Sequence, residues 1–316
     1  MPVLDRLDPE LAPAAAQLPV YDLSDIAAAR AFRAARYKPT PRTSADLAVQ
    51  HTDQLVPREE GEPDVLLRVF RPHGNAGVLP CLFWIQGGGF VLTAPDLDDQ
   101  WCKEIADRHA CVVVSVDWRR APESPFPAAS NDCFTGLSWL MAHQSDLKVD
   151  GSRVVIGGHS SGAGCAAGLA LRVRDQADFS VAHQLLIYPM LDDTNTTPSS
   201  YEVTDPELWN REKNKLAWQY YLGPAYGTDE VSPYAAPTRM KDLAGLAPAS
   251  ILTGEFDLFV DEDVTYARRL SQAGTSTELH VYRGAHHGFD RQVPRAEVSQ
   301  RFFADRDAIL ARALRR

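Results

Sequence analysis

The stretch VVIGGHSSGAGCAAGLAL, residues 154–171, joins a run of β-branched residues to a small-residue helix through a serine flanked by glycines. It matches the pattern G-x-S-x-G in the strand, turn and helix context that the motif requires. The spacing of the glycines selects Ser160, because Ser161 would need glycine where His159 and Ala163 stand. We therefore predict that Ser160 is a nucleophile on a strained turn. A dinucleotide-binding loop fits less well, because its glycines would lie inside the predicted helix.

Short apolar segments on both sides of this stretch predict a mostly parallel central sheet. Each is rich in Val, Ile and Leu, and helical stretches separate them, which is typical of an α/β domain with helices on both faces. The predicted strands are Asp64–Pro72, Cys81–Gln86, Cys111–Trp118, Arg153–Gly158, His183–Pro189, Ala249–Glu255 and Thr277–Arg283. We expect the 316 residues to form a single α/β domain spanning residues 1–316.

Two segments interrupt this alternation of strands and helices. An Ala-rich region from about Asp8 to Tyr37 predicts two helices that are broken near Pro19. Roughly sixty residues separate Pro189 from Ala249, more than a crossover needs, and they include a helical pattern. We predict that about residues 1–45 and about residues 192–235 form a helical cap over the carboxyl edge of the sheet.

Composition and charge exclude several classes of protein. The formal net charge is −10 and there is no basic block, which argues against nucleic acid as a partner. No apolar run is long enough to predict a membrane span, and the N-terminus does not resemble a signal peptide. The five cysteines show no C-x-x-C spacing and are typical of reduced thiols in a cytoplasmic protein. We expect no cofactor and no metal site, and the sequence leaves a homodimer open.

Candidates for the base and its partner follow the later strands in the order serine, acid, histidine. Asp257 comes just after the strand Ala249–Glu255, whereas the acidic run at residues 261–263 is typical of the first turn of a helix. His286 and His287 both follow the last strand, and His287 precedes a glycine that permits a sharp loop. We predict that His287 is the general base for Ser160 and that Asp257 orients it.

The glycine run in QGGGF, residues 86–90, follows a buried strand and predicts a loop whose backbone N–H groups point at a ligand. An acyl-transfer enzyme needs such groups to stabilise an oxyanion. In this arrangement one donor comes from the residue after the nucleophile, here Ser161, and the others come from this loop.

Over nearly its whole length the sequence resembles the hormone-sensitive-lipase family of α/β-hydrolases. The resemblance rests on QGGGF, VDWRRAPESPFPAA, GHSSGAG, EFDLFVDED and VYRGAHHGF. It implies the triad Ser160, Asp257 and His287, with Gly88, Gly89 and Ser161 as oxyanion donors. It also implies hydrolysis of short-acyl esters without a metal or cofactor.

Three positions depart from the family pattern. Gln86 replaces the histidine of the glycine-rich loop, His159 replaces an aspartate before the nucleophile, and Ser161 replaces an alanine. In the family that histidine braces the oxyanion loop, and we expect Gln86 to do so because an amide both donates and accepts hydrogen bonds.

The leading hypothesis is a serine carboxylesterase acting on small-molecule esters with acyl groups from acetyl to about hexanoyl. Alternatives are an amidase or lactonase, a deacetylating tailoring enzyme, and a non-catalytic ligand-binding relative. The gibberellin receptors share the family fold but have lost the catalytic histidine. Since His287 is present here, the sequence favours an enzyme over a binding protein.

Overall fold

The computed structural model describes residues 2–36, 45–58, 62–94 and 96–315. Within them lies an eight-stranded sheet with the order β1-β2-β4-β3-β5-β6-β7-β8. Its strands are β1 (Val49–Val56), β2 (Val65–Pro72), β3 (Leu79–Ile85), β4 (Val112–Asp117), β5 (Val149–His159), β6 (His183–Ile187), β7 (Ala249–Gly254) and β8 (Thr277–Tyr282). Strand β2 runs antiparallel to β1 and β4, and the pairs from β4 to β8 are parallel.

Strand β1 was not predicted from the sequence. Val49 and Val56 at its two ends are buried, while Leu55 is 59% exposed. The segment VQHTDQLV is polar in between, because an edge strand leaves much of its surface in water. The apolar periodicity of the sequence therefore did not indicate β1. The seven predicted strands all lie where the sequence placed them.

Helices cover both faces of the sheet. They are α1 (Ala12–Ala15), α2 (Ile26–Arg36), α3 (Ala45–Ala48), α4 (Asp99–His109), α5 (Ala128–Ala142), α6 (Ser161–Gln176), α7 (Pro198–Glu202), α8 (Arg211–Leu222), α9 (Val260–Gln272), α10 (Phe289–Gln292) and α11 (Glu297–Ala313). Alternate residues of β4 serve the two faces: Val112 and Val114 join one buried cluster and Val113 the other. Helices α5, α6 and α9 contribute to the first cluster, and α4 and α11 to the second.

The two segments that interrupt the strand and helix alternation pack against each other. The Tyr220 hydroxyl in α8 donates a hydrogen bond to the Leu23 carbonyl at 3.1 Å, and the Val3 amide donates to Asp205 Oδ2 at 3.0 Å. The predicted break between the N-terminal helices lies between α1 and α2, and Tyr37 lies outside the described residues. The assignment of both segments as a cap stays a prediction.

The five cysteines are buried and free, as predicted for reduced thiols that fill the core. Within the described ranges, no helix is both long enough and apolar enough to cross a lipid bilayer.

Candidate active site

Ser160 lies on a sharp turn between the end of β5 and the start of α6. Its backbone has φ 56° and ψ −128°, a strained conformation for a residue other than glycine. A Cβ at Gly158 would lie 2.4 Å from the Ile85 carbonyl oxygen, and one at Gly162 would lie 2.1 Å from the same atom. Glycine is therefore required on both sides of the turn, because any side chain would collide with β3.

The predicted acid, base and nucleophile form one hydrogen-bonded chain. His287 Nε2 lies 3.0 Å from Ser160 Oγ, and His287 Nδ1 lies 2.7 Å from Asp257 Oδ2. The other carboxylate oxygen of Asp257 accepts from the Phe259 amide at 3.0 Å. Since a carboxylate only accepts, Nδ1 of the neutral ring carries the proton and Nε2 is left to accept from the serine hydroxyl.

The neighbouring histidine lies apart from this chain. His286 is fully buried, and its Nε2 lies 2.8 Å from Gln292 Oε1. Burial lowers the pKa of His286, so its ring is neutral at pH 7. Of the two candidate histidines, His287 is the one that reaches Ser160.

Gly88 and Gly89 line the same cavity as Ser160, and Ser161 follows the serine in the chain. Gly88 and Gly89 have φ of 142° and 58°, and in the described part of the chain no group accepts a hydrogen bond from either amide. Ser161 is the first residue of α6, where an amide has no acceptor within the helix. The Trp209 ring packs against Gly89, since a Cβ there would lie 2.2 Å from its Cη2.

Gln86 does not brace the loop in the way we predicted. Its side chain is buried, yet both amide atoms lack a hydrogen-bond partner among the described residues. Its backbone carbonyl accepts from Trp118 Nε1 at 3.2 Å instead. The prediction failed because a side chain's capacity to hydrogen bond does not say which groups the fold places within its reach.

His159 takes the bracing position. Its Nε2 accepts from the Gly87 amide at 3.3 Å and from Arg291 Nη1 at 2.9 Å. Its Nδ1 lies 3.4 Å from Asp98 Oδ2, and Arg291 Nη2 donates to Asp98 Oδ1 at 2.7 Å. Trp84 Nε1 completes the cluster with a 2.8 Å hydrogen bond to Asp98. The glycine loop is thereby tied to β5 and to the N-terminal end of α4.

The cluster around His159 has a fixed charge state. Burial lowers the pKa of His159 from 6.5 to about 3, so the ring is neutral at pH 7. Burial opposes ionisation of Asp98, but the Arg291 guanidinium outweighs it and holds the pKa of Asp98 below its usual range. His159 is therefore a neutral acceptor held between the loop and the ion pair of buried Asp98 with Arg291, whose side chain is 43% exposed.

The acidic run lies in the first turn of α9, as predicted, but its side chains are not simply solvated. Glu262 is buried and accepts hydrogen bonds from the Leu191 and Asp192 amides at 2.6 and 3.1 Å. Asp261 accepts from the Ser199 amide at 2.7 Å. These carboxylates anchor the segment that follows β6, which the sequence pattern did not indicate.

A cavity of about 450 Å³ opens beside Ser160 and His287. Tyr21 and Arg33 from the N-terminal segment line it, and Glu207 and Trp209 line it from the later segment. Trp209 lines the cavity, whereas Trp84, Trp218 and Tyr221 are buried in the core. Arg33, Asp98 and Arg291 were missed, because lone charged residues outside a motif give no sequence signal.

Comparison with known proteins identifies the family of the chain. A family model described as alpha/beta hydrolase fold matches residues 82–291, about two thirds of the chain. The chain belongs to this family. The fold class and the resemblance to the hormone-sensitive-lipase branch of α/β-hydrolases are confirmed.

Individual relatives extend the comparison. A solved structure titled "Bacterial Heroin Esterase" matches with a TM-score of 0.94 and 40% identity over 99% of both chains. Carboxylesterase NlhH of Mycobacterium tuberculosis is 33% identical over 73% of this chain and 72% of its own length. Ethyl acetate hydrolase of Pseudomonas putida is 31% identical over 71% of each.

Proposed function

We propose that this α/β hydrolase is a serine carboxylesterase in which Ser160 attacks the ester carbonyl. Several relatives are named as ester hydrolases, which confirms the predicted enzyme class, a carboxylic ester hydrolase. The observation that carries the mechanism is the hydrogen-bonded chain from Asp257 through His287 to Ser160, at 2.7 and 3.0 Å.

In the proposed reaction His287 Nε2 takes the hydroxyl proton as Ser160 Oγ bonds to the carbonyl carbon. The imidazolium then gives that proton to the leaving alcohol, and an acyl-serine remains. In the second half of the reaction His287 takes a proton from a water molecule as the water oxygen bonds to the acyl carbon. The bond from that carbon to Ser160 Oγ then breaks, His287 returns the proton to Oγ, and acetate or a longer acid leaves. Asp257 holds the ring in the required tautomer and stabilises its positive form.

The negative oxygen of the tetrahedral intermediate would be bound by the Gly88, Gly89 and Ser161 amides. Two observations support these amides as oxyanion donors. None of the three has a competing acceptor in the described chain, and the Gly87 amide holds the loop in place. Donors that are held in place before reaction need no reorganisation in the transition state. His159 acts as a positioning residue for these donors.

A short acyl group fits the site best. Two relatives are named for acetyl esters, ethyl acetate and heroin, a diacetyl ester. The Trp209 ring, in contact with Gly89, stands beside the proposed oxyanion site and limits the room next to the carbonyl. We propose acyl groups from acetyl to about hexanoyl.

Steady-state kinetics with p-nitrophenyl esters of two to twelve carbons test this proposal. We expect kcat/KM to be highest between acetyl and hexanoyl and to fall for longer chains. Ser160→Ala should lower kcat by at least about 10⁴-fold, while Ser152→Ala, a matched change at an exposed serine, should leave it unchanged. Turnover by Ser160→Ala at the wild-type rate would refute the assignment.

A further inference from the structure

Arg33, on α2, projects a cation into the cavity beside the proposed nucleophile. It lines the same cavity as Ser160 and His287, and it is partly buried. Two adjoining cavities, of about 470 and about 280 Å³, also have Arg33 in their walls. The guanidinium thus stands where the space around the serine continues toward the N-terminal segment.

Among the described residues, no counter-ion forms a salt bridge with this guanidinium. In residues 2–36, 45–58, 62–94 and 96–315, no carboxylate or carbonyl oxygen accepts a hydrogen bond from Arg33. The charged or ionisable groups that bear on it are Tyr21, Arg291 and Asp98. Asp98 is already engaged by Arg291 and by Trp84. Arg33 therefore keeps a positive charge in a site where burial disfavours it.

Arg30, one turn earlier on α2, shows what a structural arginine looks like here. Its guanidinium pairs with Glu123 at 2.6 Å and donates to the Val91 and Ala121 carbonyls, each at 2.8 Å. Through these contacts the Arg30 guanidinium holds α2 to the rest of the domain. Arg33 has none of these contacts, so the stability of α2 does not explain its position over the cavity.

We infer that Arg33 is a specificity-determining residue that binds a carboxylate carried by the alcohol part of the ester. This inference rests on the proposed esterase function. The planar fork of a guanidinium matches two carboxylate oxygens, and a pair formed away from bulk water is stronger than a surface pair. A short acyl group leaves the rest of the cavity, including the wall formed by α2, to the alcohol part.

The overall charge of the protein does not oppose such a subsite at short range. A net charge of −10 slows the approach of anions from a distance, and salt screens that effect. Glu207 on the opposite segment would repel a carboxylate placed near it. The anionic group is thereby directed to the side of the cavity that Arg33 lines.

The test compares 4-acetoxybenzoate with its uncharged counterpart 4-acetoxybenzamide. Hydrolysis of either yields acetate and a phenol, so the chemistry is the same and the charge differs. We expect wild-type kcat/KM to favour the anion by about tenfold or more. Arg33→Met should reduce that ratio at least tenfold, and Arg33→Lys should retain part of it. Arg268→Met, which removes an exposed positive charge elsewhere, should leave the ratio unchanged.

A binding readout separates this inference from the proposed function. The product 4-hydroxybenzoate should bind the wild-type protein in calorimetry and bind Arg33→Met at least tenfold more weakly. Equal ratios and equal affinities in wild type and Arg33→Met would overturn the inference, as would a wild-type preference for the neutral ester, while the esterase function stood. Failure of the wild type to hydrolyse either ester would refute the esterase function itself.

Discussion

Replacing Gly88 with alanine tests whether the glycine loop aims its amides at the reaction. Gly88 has φ of 142°, which alanine rarely adopts, and a Cβ there would lie 2.7 Å from the Thr93 backbone nitrogen. The Val91 and Leu92 amides both donate to the Gly88 carbonyl, at 3.1 and 2.8 Å. The loop is therefore closed on itself and cannot admit a methyl group without moving the backbone.

Two contributions set the size of the effect. An unfavourable backbone conformation costs about 1–3 kcal/mol, which appears as a lower free energy of unfolding. Displacing one oxyanion donor costs about 10²–10³-fold in kcat. We expect Gly88→Ala to show both effects, measured by thermal denaturation and by hydrolysis of p-nitrophenyl acetate.

Gly74→Ala is the matched control for this experiment. Gly74 is exposed on the turn after β2, has φ of 73°, and has open space where a Cβ would be placed. It should lose about 1 kcal/mol of stability through backbone strain and keep its kcat within about twofold. A Gly88→Ala protein with kcat within about threefold of wild type would refute the assigned role of the loop.

Two further predictions concern His159 and the buried thiols. His159 has a pKa of about 3 in the folded protein against 6.5 in the unfolded chain, so the unfolded chain binds an extra proton as the pH falls below 6.5 and stability is lost on acidification. Between pH 6.5 and 5.0 the unfolding free energy of His159→Asn should fall by roughly 1.5 kcal/mol less than that of the wild type, measured by urea denaturation. An identical fall in both proteins would contradict the buried neutral ring. All five cysteines are buried, so a thiol-specific colorimetric reagent should react with fewer than one thiol in minutes on the native protein and with five in denaturant. Rapid reaction of the native protein would show that the core is more open than described.

The proximity of the proposed nucleophile, base and acid could be predicted from the sequence because each of them follows a strand. A serine on a glycine-flanked turn, an acid after β7 and a histidine after β8 all lie at the carboxyl edge of a parallel sheet. Once the strand order is that of this fold, chain order alone brings Ser160, Asp257 and His287 together. Strand β1 escaped prediction because an exposed edge strand has no apolar alternation to detect.

The residues that hold the glycine loop in place were less predictable from the sequence. The exchange of residues at Gln86 and His159 looked like two separate departures from the family pattern. In the structure the side chain at 159 holds the loop, and the one at 86 is buried without a hydrogen bond. Asp98 and Arg291, which fix the His159 ring, lie far from it in sequence. Such a cluster depends on three-dimensional contacts, which one sequence does not encode in a recognisable spacing.

The same reasoning applies to Arg33. In the sequence it is one of several arginines in an Ala-rich helix, and nothing distinguishes it from Arg30. Only the contacts separate them, because Arg30 is paired and Arg33 faces the cavity. The cytoplasmic location and a homodimer stay predictions from the sequence.

Covalent labelling of the nucleophile tests the central claim most directly. A fluorophosphonate should react with the native wild-type protein to give one adduct per chain, and peptide mapping by mass spectrometry should locate it on Ser160. Ser160→Ala should give no adduct, and His287→Ala should react far more slowly, because the hydroxyl would lack its base. An adduct on Ser161 or another residue, or wild-type ester hydrolysis without any adduct, would contradict this account.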